Sequence, residues 1–98
     1  MSIHFTTDVG QIDILAIDEK NNFVVIELKA GLAKDSAVGQ VLGYMRYVSK
    51  KLASGNKVRG LIVADEFDER VKYAVEEIPK LSLRKYLVKF EFQEISEK

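Results

Sequence analysis

Two strand-like runs of this chain carry ionisable residues where a buried strand keeps hydrocarbon. Asp13 interrupts Gly10-Gln11-Ile12-Asp13-Ile14-Leu15-Ala16-Ile17, and Glu27 and Lys29 interrupt Phe23-Val24-Val25-Ile26-Glu27-Leu28-Lys29. Ionised groups are rarely set among β-branched apolar residues unless they pair with one another or bind a metal. Side chains alternate between the two faces of a strand, so Glu27 and Lys29 project to the same side. The link Asp18-Glu19-Lys20-Asn21-Asn22 is polar and rich in turn formers, which predicts a hairpin between the runs. Pairing Ile17 with Phe23 sets Asp13 across from Glu27. A slip of one residue would send the two to opposite faces and turn the core outward. In that register two carboxylates and an ammonium meet on a small area of sheet, a cradle for a hard cation and a water.

The remaining pattern alternates strands with helices. Ile3 to Thr7 reads as a first strand and Asp8-Val9-Gly10 as a turn, with Asp8 as ordinary turn chemistry and His4 as a strand surface residue. Ala30-Gly31-Leu32 breaks the third strand. Asp35 is placed to cap a helix running from about Ser36 to Ala53, whose buried stripe is Val38, Val41, Leu42, Met45, Val48 and Leu52. Gly55 is its stop. Val58 to Ala64 is almost continuously apolar and predicts a strand covered on both faces. A second helix starts near Asp68, turns Val71, Ala74, Val75 and Ile78 inward, and ends at Pro79. Leu83 to Phe92 predicts a last strand with Tyr86, Val88, Phe90 and Phe92 on one face, and Glu94 to Lys98 a frayed tail. The order predicts an α/β fold. A three-strand meander precedes helix, strand, helix and strand, giving a mixed β-sheet with helices against it and a right-handed parallel crossover from Phe23 to Ala64.

Ninety-eight residues, 47% hydrophobic and 31% charged, suit one domain spanning residues 1–98. The absence of cysteine excludes disulfides, thiolate metal sites and a cysteine nucleophile, and a single histidine excludes a multi-histidine zinc site. No apolar stretch reaches the length of a membrane span and the start is no signal peptide, so a cytoplasmic protein without a membrane partner is the default expectation. Net charge is zero, yet Ser36 to Ala64 holds no acid and carries Arg46, Lys50, Lys51, Lys57 and Arg59. These five are the candidates for contacts to a phosphate backbone. The plainer account is a solvated face, with Lys50 and Lys51 answering a helix dipole.

Mg²⁺ takes oxygen ligands and keeps several waters. Asp13, Glu27 and one backbone carbonyl, that of Leu28, suffice when substrate phosphate supplies the rest. Lys29 can hold the attacking water or stabilise charge on phosphorus. Gln40 and Tyr44 stand four apart on one helical face, where an amide and a phenol can orient water or phosphate. The competing account is a cross-strand ion pair, with Gln40 capping a sheet edge and Tyr44 as packing.

The full set is Gly-x-x-Asp, then Glu-x-Lys on the next strand, then Gln-x-x-x-Tyr on the following helix. With it the chain resembles the PD-(D/E)XK nuclease superfamily, and more narrowly the C-terminal nuclease domain of NucS/EndoMS-type endonucleases. The resemblance runs through Gly10–Ala16, Val25–Lys29, Gly39–Tyr44, Val58–Ala64 and Tyr86–Phe90. It implies a restriction-endonuclease-like sheet and metal-dependent phosphodiester hydrolysis in DNA. Asp13 and Glu27 would hold Mg²⁺ or Mn²⁺, Lys29 would be catalytic, and Gln40 and Tyr44 would support the site. The helix that usually precedes the first strand, and the separate N-terminal DNA-binding and dimerisation domain, have no counterpart in the sequence. Two strands of a duplex need two sites, so a homodimer is expected. The alternative function is a non-catalytic DNA-binding or assembly module that keeps the fold.

Overall fold

A computed structural model describes the backbone of residues 2–96 and the side chains of residues 6–96. The His4 side chain and the end of the expected tail therefore lie outside the described residues. The elements follow the expected order: β1 (Ser2–Thr7), β2 (Gly10–Ile17), β3 (Phe23–Ala33), α1 (Asp35–Lys51), β4 (Val58–Phe67), α2 (Glu69–Glu76) and β5 (Leu81–Lys85). They build one five-stranded mixed sheet in the order β1-β2-β3-β4-β5. The first two pairings are antiparallel and the last two parallel.

Short polar residues close the hairpins. Thr7 Oγ1 donates to the Gly10 carbonyl at 2.6 Å and accepts the Val9 N–H at 3.0 Å, while Asp8 stays exposed. Asp18 Oδ1 accepts the N–H groups of Lys20 and Asn22, each at 2.9 Å, and Asn21 adopts a φ of 65° that asparagine tolerates. The Asn22 N–H is the largest cause that holds the Asp18 carboxyl below its ordinary pKa, with Lys20 and Arg59 adding to it against partial burial. This turn fixes the register: Ile17 pairs with Phe23, and the ladder runs to Ile14 opposite Ile26.

The core lies between the sheet and α1. Ala37, Val41, Tyr44, Met45 and Val48 pack onto Leu15, Val25, Val58, Ile62 and Leu81. Each valine, leucine, isoleucine or methionine among them contributes about 1.5–3 kcal/mol when fully buried. Gly60 lets the helix approach: a Cβ there would stand 2.6 Å from Met45 Sδ and 3.2 Å from Val41 Cγ2.

Several sequence expectations are corrected. Lys34, without a side-chain bond, occupies the cap of α1; Asp35 lies in the first turn and pairs with Arg70 at 3.3 Å. Asp68 does cap α2, accepting the Arg70 N–H at 2.8 Å, but the helix ends at Glu76, ahead of Pro79. β3 runs through Ala30-Gly31-Leu32. The break expected there is a kink instead, with Gly31 at φ 79° and the ladder to β4 shifting between Lys29 and Leu32. β4 is covered on one face only: Val58, Gly60, Ile62 and Ala64 are buried, whereas Arg59 is exposed and Leu61 and Val63 are half-buried. The last strand stops at Lys85. The Tyr86 N–H still reaches the Ala64 carbonyl at 3.1 Å, but residues 87–96 lie beyond the end of β4's ladder. Their alternating pattern leaves Val88, Phe90 and Phe92 exposed.

Candidate active site

β2 and β3 part company just where the charged residues sit. Between the pairs Ile3–Leu15 and Phe5–Ile12, one residue of β1 stands opposite Asp13 and Ile14 of β2. That bulge changes the phase of β2, which is how Ile12 and Leu15 both reach the core although they are three apart. It also frees Asp13 from the ladder. Asp13 Oδ2 accepts the Leu28 N–H at 2.8 Å, taking the place of the backbone partner that β2 no longer offers. In an extended residue the N–H and C=O lie along the same strand edge, so the Leu28 carbonyl faces the same opening as Asp13.

Glu27 lies on the helix-covered face and is 5% exposed. Its Oε2 pairs with Lys29 Nζ at 3.2 Å. Lys29 Nζ also donates to Gln40 Oε1 at 2.9 Å, which fixes the ammonium between β3 and α1. Glu27 Oε1 is the one buried side-chain oxygen without a hydrogen-bond partner among the described residues. Burial pushes the Glu27 pKa up, the Lys29 hydrogen bond opposes that, and the Asp13 charge pushes it up further. A carboxylate in this setting is short of positive charge and of donors, a state that a cation relieves. The described residues bring no third carboxylate, histidine or cysteine to the group. The donor set is therefore two carboxylates and a carbonyl, which fits a hard ion that keeps water and phosphate as its other ligands.

Tyr44 is buried, and its ring and hydroxyl lie against Gly10, the first residue of β2. The sequence identified Gly10 as part of a turn but missed this contact. Its signal is a glycine placed where the tyrosine of the helix must close on the strand. A Cβ on Gly10 would fall 2.7 Å from Tyr44 Oη, and the φ of 129° is one that other residues rarely adopt. Gly10→Ala is expected to cost about 1–3 kcal/mol. Adding Tyr44→Phe should recover part of that loss, a coupling readable in urea melts of the single and double variants. Independent, additive losses would show that the two residues do not meet.

Asp13, Glu27, Lys29, Gln40 and Tyr44 thus share one end of the α1–sheet interface. The expected nucleic-acid contacts do not join them. Arg46, Lys50 and Lys51 lie on the C-terminal half of α1, and Lys57 precedes β4 at the opposite end of the sheet. Arg59, the second residue of β4, has its charge answered by Asp18 of the hairpin turn at 3.1 Å.

Comparison with known proteins bears on the family and the fold. The family profile described as the endonuclease NucS C-terminal domain matches residues 1–87. Endonuclease NucS of Pyrococcus furiosus is 38% identical over 69 residues, 70% of this chain and 25% of that protein. Endonuclease NucS of Aeropyrum pernix is 34% identical over 70 residues, 71% of this chain and 25% of that protein. The chain thus spans about a quarter of the length of these relatives. Among solved structures, a repair endonuclease from Pyrococcus abyssi superposes with a TM-score of 0.73 at 31% identity, covering 87% of this chain and 37% of that one. EndoMS in a complex with dsDNA gives 0.72 at 30% identity, covering 87% and 35%. A family profile that accounts for all the secondary structure, carried on the same fold, settles the relationship: the chain belongs to the family of endonuclease NucS C-terminal domains.

Proposed function

We propose that this chain is the nuclease domain of a divalent-metal-dependent DNA endonuclease of the PD-(D/E)XK type, acting in the cytoplasm on phosphodiester bonds. The observation that supports it most is Glu27, buried, with one oxygen unpartnered and its pKa raised beside Asp13. Asp13, Glu27 and the Leu28 carbonyl would hold Mg²⁺ or Mn²⁺. When bound, the ion supplies Lewis-acid polarisation of the phosphate and acidifies water. The chain's own residues do the rest. Lys29, held by Glu27 and Gln40, places a fixed positive charge where the phosphate gains negative charge. Gln40 keeps that ammonium from swinging to solvent, and Tyr44 locks α1 against the start of β2. Cutting both strands of a duplex takes two such sites, which a two-fold pair of chains provides.

A second reading has an observation in its favour. Glu27, Lys29 and Gln40 are already linked within the chain, at 3.2 and 2.9 Å. A DNA-binding or assembly module would use them for structure alone. Cleavage assays on flapped, mismatched, single-stranded and duplex DNA with Mg²⁺ or Mn²⁺ separate the two. The nuclease reading expects metal-dependent cutting of at least one substrate that Asp13→Asn abolishes. Equal traces of cutting by wild type and variant would end it.

A further inference from the structure

The opposite end of α1 carries a second, unassigned feature. A cleft of about 360 Å³ opens between α1, the segment before β4 and the start of β5, and Arg46, Ser49, Lys57 and Lys80 line it. A smaller depression of about 230 Å³ adjoins it and shares Lys57 and Lys80, so these two lysines border both hollows. Arg46, Lys57 and Lys80 are exposed and carry no ion pair among the described residues. Among the described residues no acid lines either hollow.

The lysines stand on braced backbone. The Lys57 N–H donates to Asn22 Oδ1 at 3.0 Å, its carbonyl accepts the Phe23 N–H at 2.9 Å, and Asn56 Nδ2 ties the same loop to the Asn21 carbonyl at 2.7 Å. The Lys80 carbonyl accepts the Gly60 N–H at 2.8 Å. Three like charges around one cleft repel each other until an anion answers them. Among the described residues the groups lining the larger cleft include cationic side chains, and contacts from these to phosphate carry no sequence information.

We infer that the cleft bordered by Arg46, Lys57 and Lys80 is an anchor for a backbone phosphate of the DNA, away from the bond that is cut. This rests on the nuclease reading and adds a position to it. Phe23 is level with Lys57, and Glu27 follows four residues along β3, about 13 Å at the rise of a strand.

The test is DNA binding measured by fluorescence anisotropy in EDTA, where nothing is cut, across a range of salt. Arg46→Ala, Lys57→Ala and Lys80→Ala should each weaken binding and lower the slope of log K against log salt by part of the roughly one unit that a single neutralised phosphate contributes. The Lys57/Lys80 double variant should lower it by about one, for any sequence. Lys72→Ala, on α2 and paired with Glu69, is the control and should leave the slope unchanged. Inorganic phosphate at millimolar concentration should not displace the DNA. An unchanged slope in the double variant overturns the anchor, as does phosphate competition that disappears with Lys57→Ala, which would make the cleft a site for free phosphate. Melts of the same variants with Mn²⁺ keep the readings apart. An anchor that fails while the metal response stands leaves the nuclease site intact. A wild type that binds neither DNA nor metal overturns both.

Discussion

Glu27→Gln is expected to lower metal-dependent cleavage by at least about a hundredfold while leaving the metal-free fold as stable as wild type or slightly more so. The reason lies in what opposes the Glu27 charge. Burial raises its pKa most, the Asp13 charge adds to that, and the bond to Lys29 only partly offsets them. For an acid whose folded pKa lies above its unfolded value, the native state binds more protons between the two. Its favourable contribution is therefore present below the unfolded value near 4.5 and is lost as pH rises through the raised folded value. At neutral pH the wild-type carboxylate is a burden that glutamine lacks. Lys29 keeps Gln40 Oε1, and a glutamine carbonyl, as acceptors.

The checks are thermal melts from pH 5 to pH 8, with EDTA and with Mn²⁺. Wild type should gain on Glu27→Gln as the pH falls toward 5. Mn²⁺ at a hundred times its dissociation constant should stabilise wild type by about 2.7 kcal/mol and the variant hardly at all. A variant that melts far below wild type in EDTA, from a wild type indifferent to Mn²⁺, would make Glu27 a structural ion-pair partner instead.

The hairpin carrying the site was legible because its determinants are local. Asp18, Asn21 and Asn22 set the turn, and the pairing of Ile17 with Phe23 that it imposes sets the register. The side-by-side placement of Glu27 and Lys29 followed from strand geometry alone. The partners that complete the site are long-range and were less visible. Nothing in Ile12-Asp13-Ile14 announces a bulge, because the extra residue is defined only by pairing with β1. Asp13 was expected opposite Glu27; it bonds the next residue's N–H because the bulge releases it there. The last strand failed for a related reason. Tyr86 to Phe92 has the period of a strand, but a strand needs a neighbour; β4 ends at Phe67, and its ladder with β5 already ends at Ala64 and Lys85. The basic residues were legible as a list, though not as a cleft, since Lys80 comes from a segment more than twenty residues downstream of Lys57.

Lys29→Met should behave in the opposite way from Glu27→Gln, although the two residues form one pair. Removing the ammonium leaves Glu27 buried with Oε2 unpartnered as well as Oε1. Breaking a buried pair from one side costs about 3–5 kcal/mol when the stranded charge cannot escape. Here it can, by taking a proton, and the Lys29 side chain is 31% exposed, so a loss of about 1–3 kcal/mol near pH 8 is the expectation. Without Lys29 the Glu27 pKa moves higher still, because the opposing bond and charge are gone. The native state then binds its extra proton at a higher pH. The destabilisation should therefore be largest at pH 8 and shrink toward pH 5. Adding Glu27→Gln to Lys29→Met should restore most of the stability, since no buried charge remains to be stranded. Cleavage should stay lost in the single and double variants alike, which separates the stability of the pair from its chemistry. Denaturant melts of the four proteins at both pH values decide it. Equal losses for Glu27→Gln and Lys29→Met, independent of pH, would mean that the pair is held by packing and not by the electrostatics of a buried carboxylate.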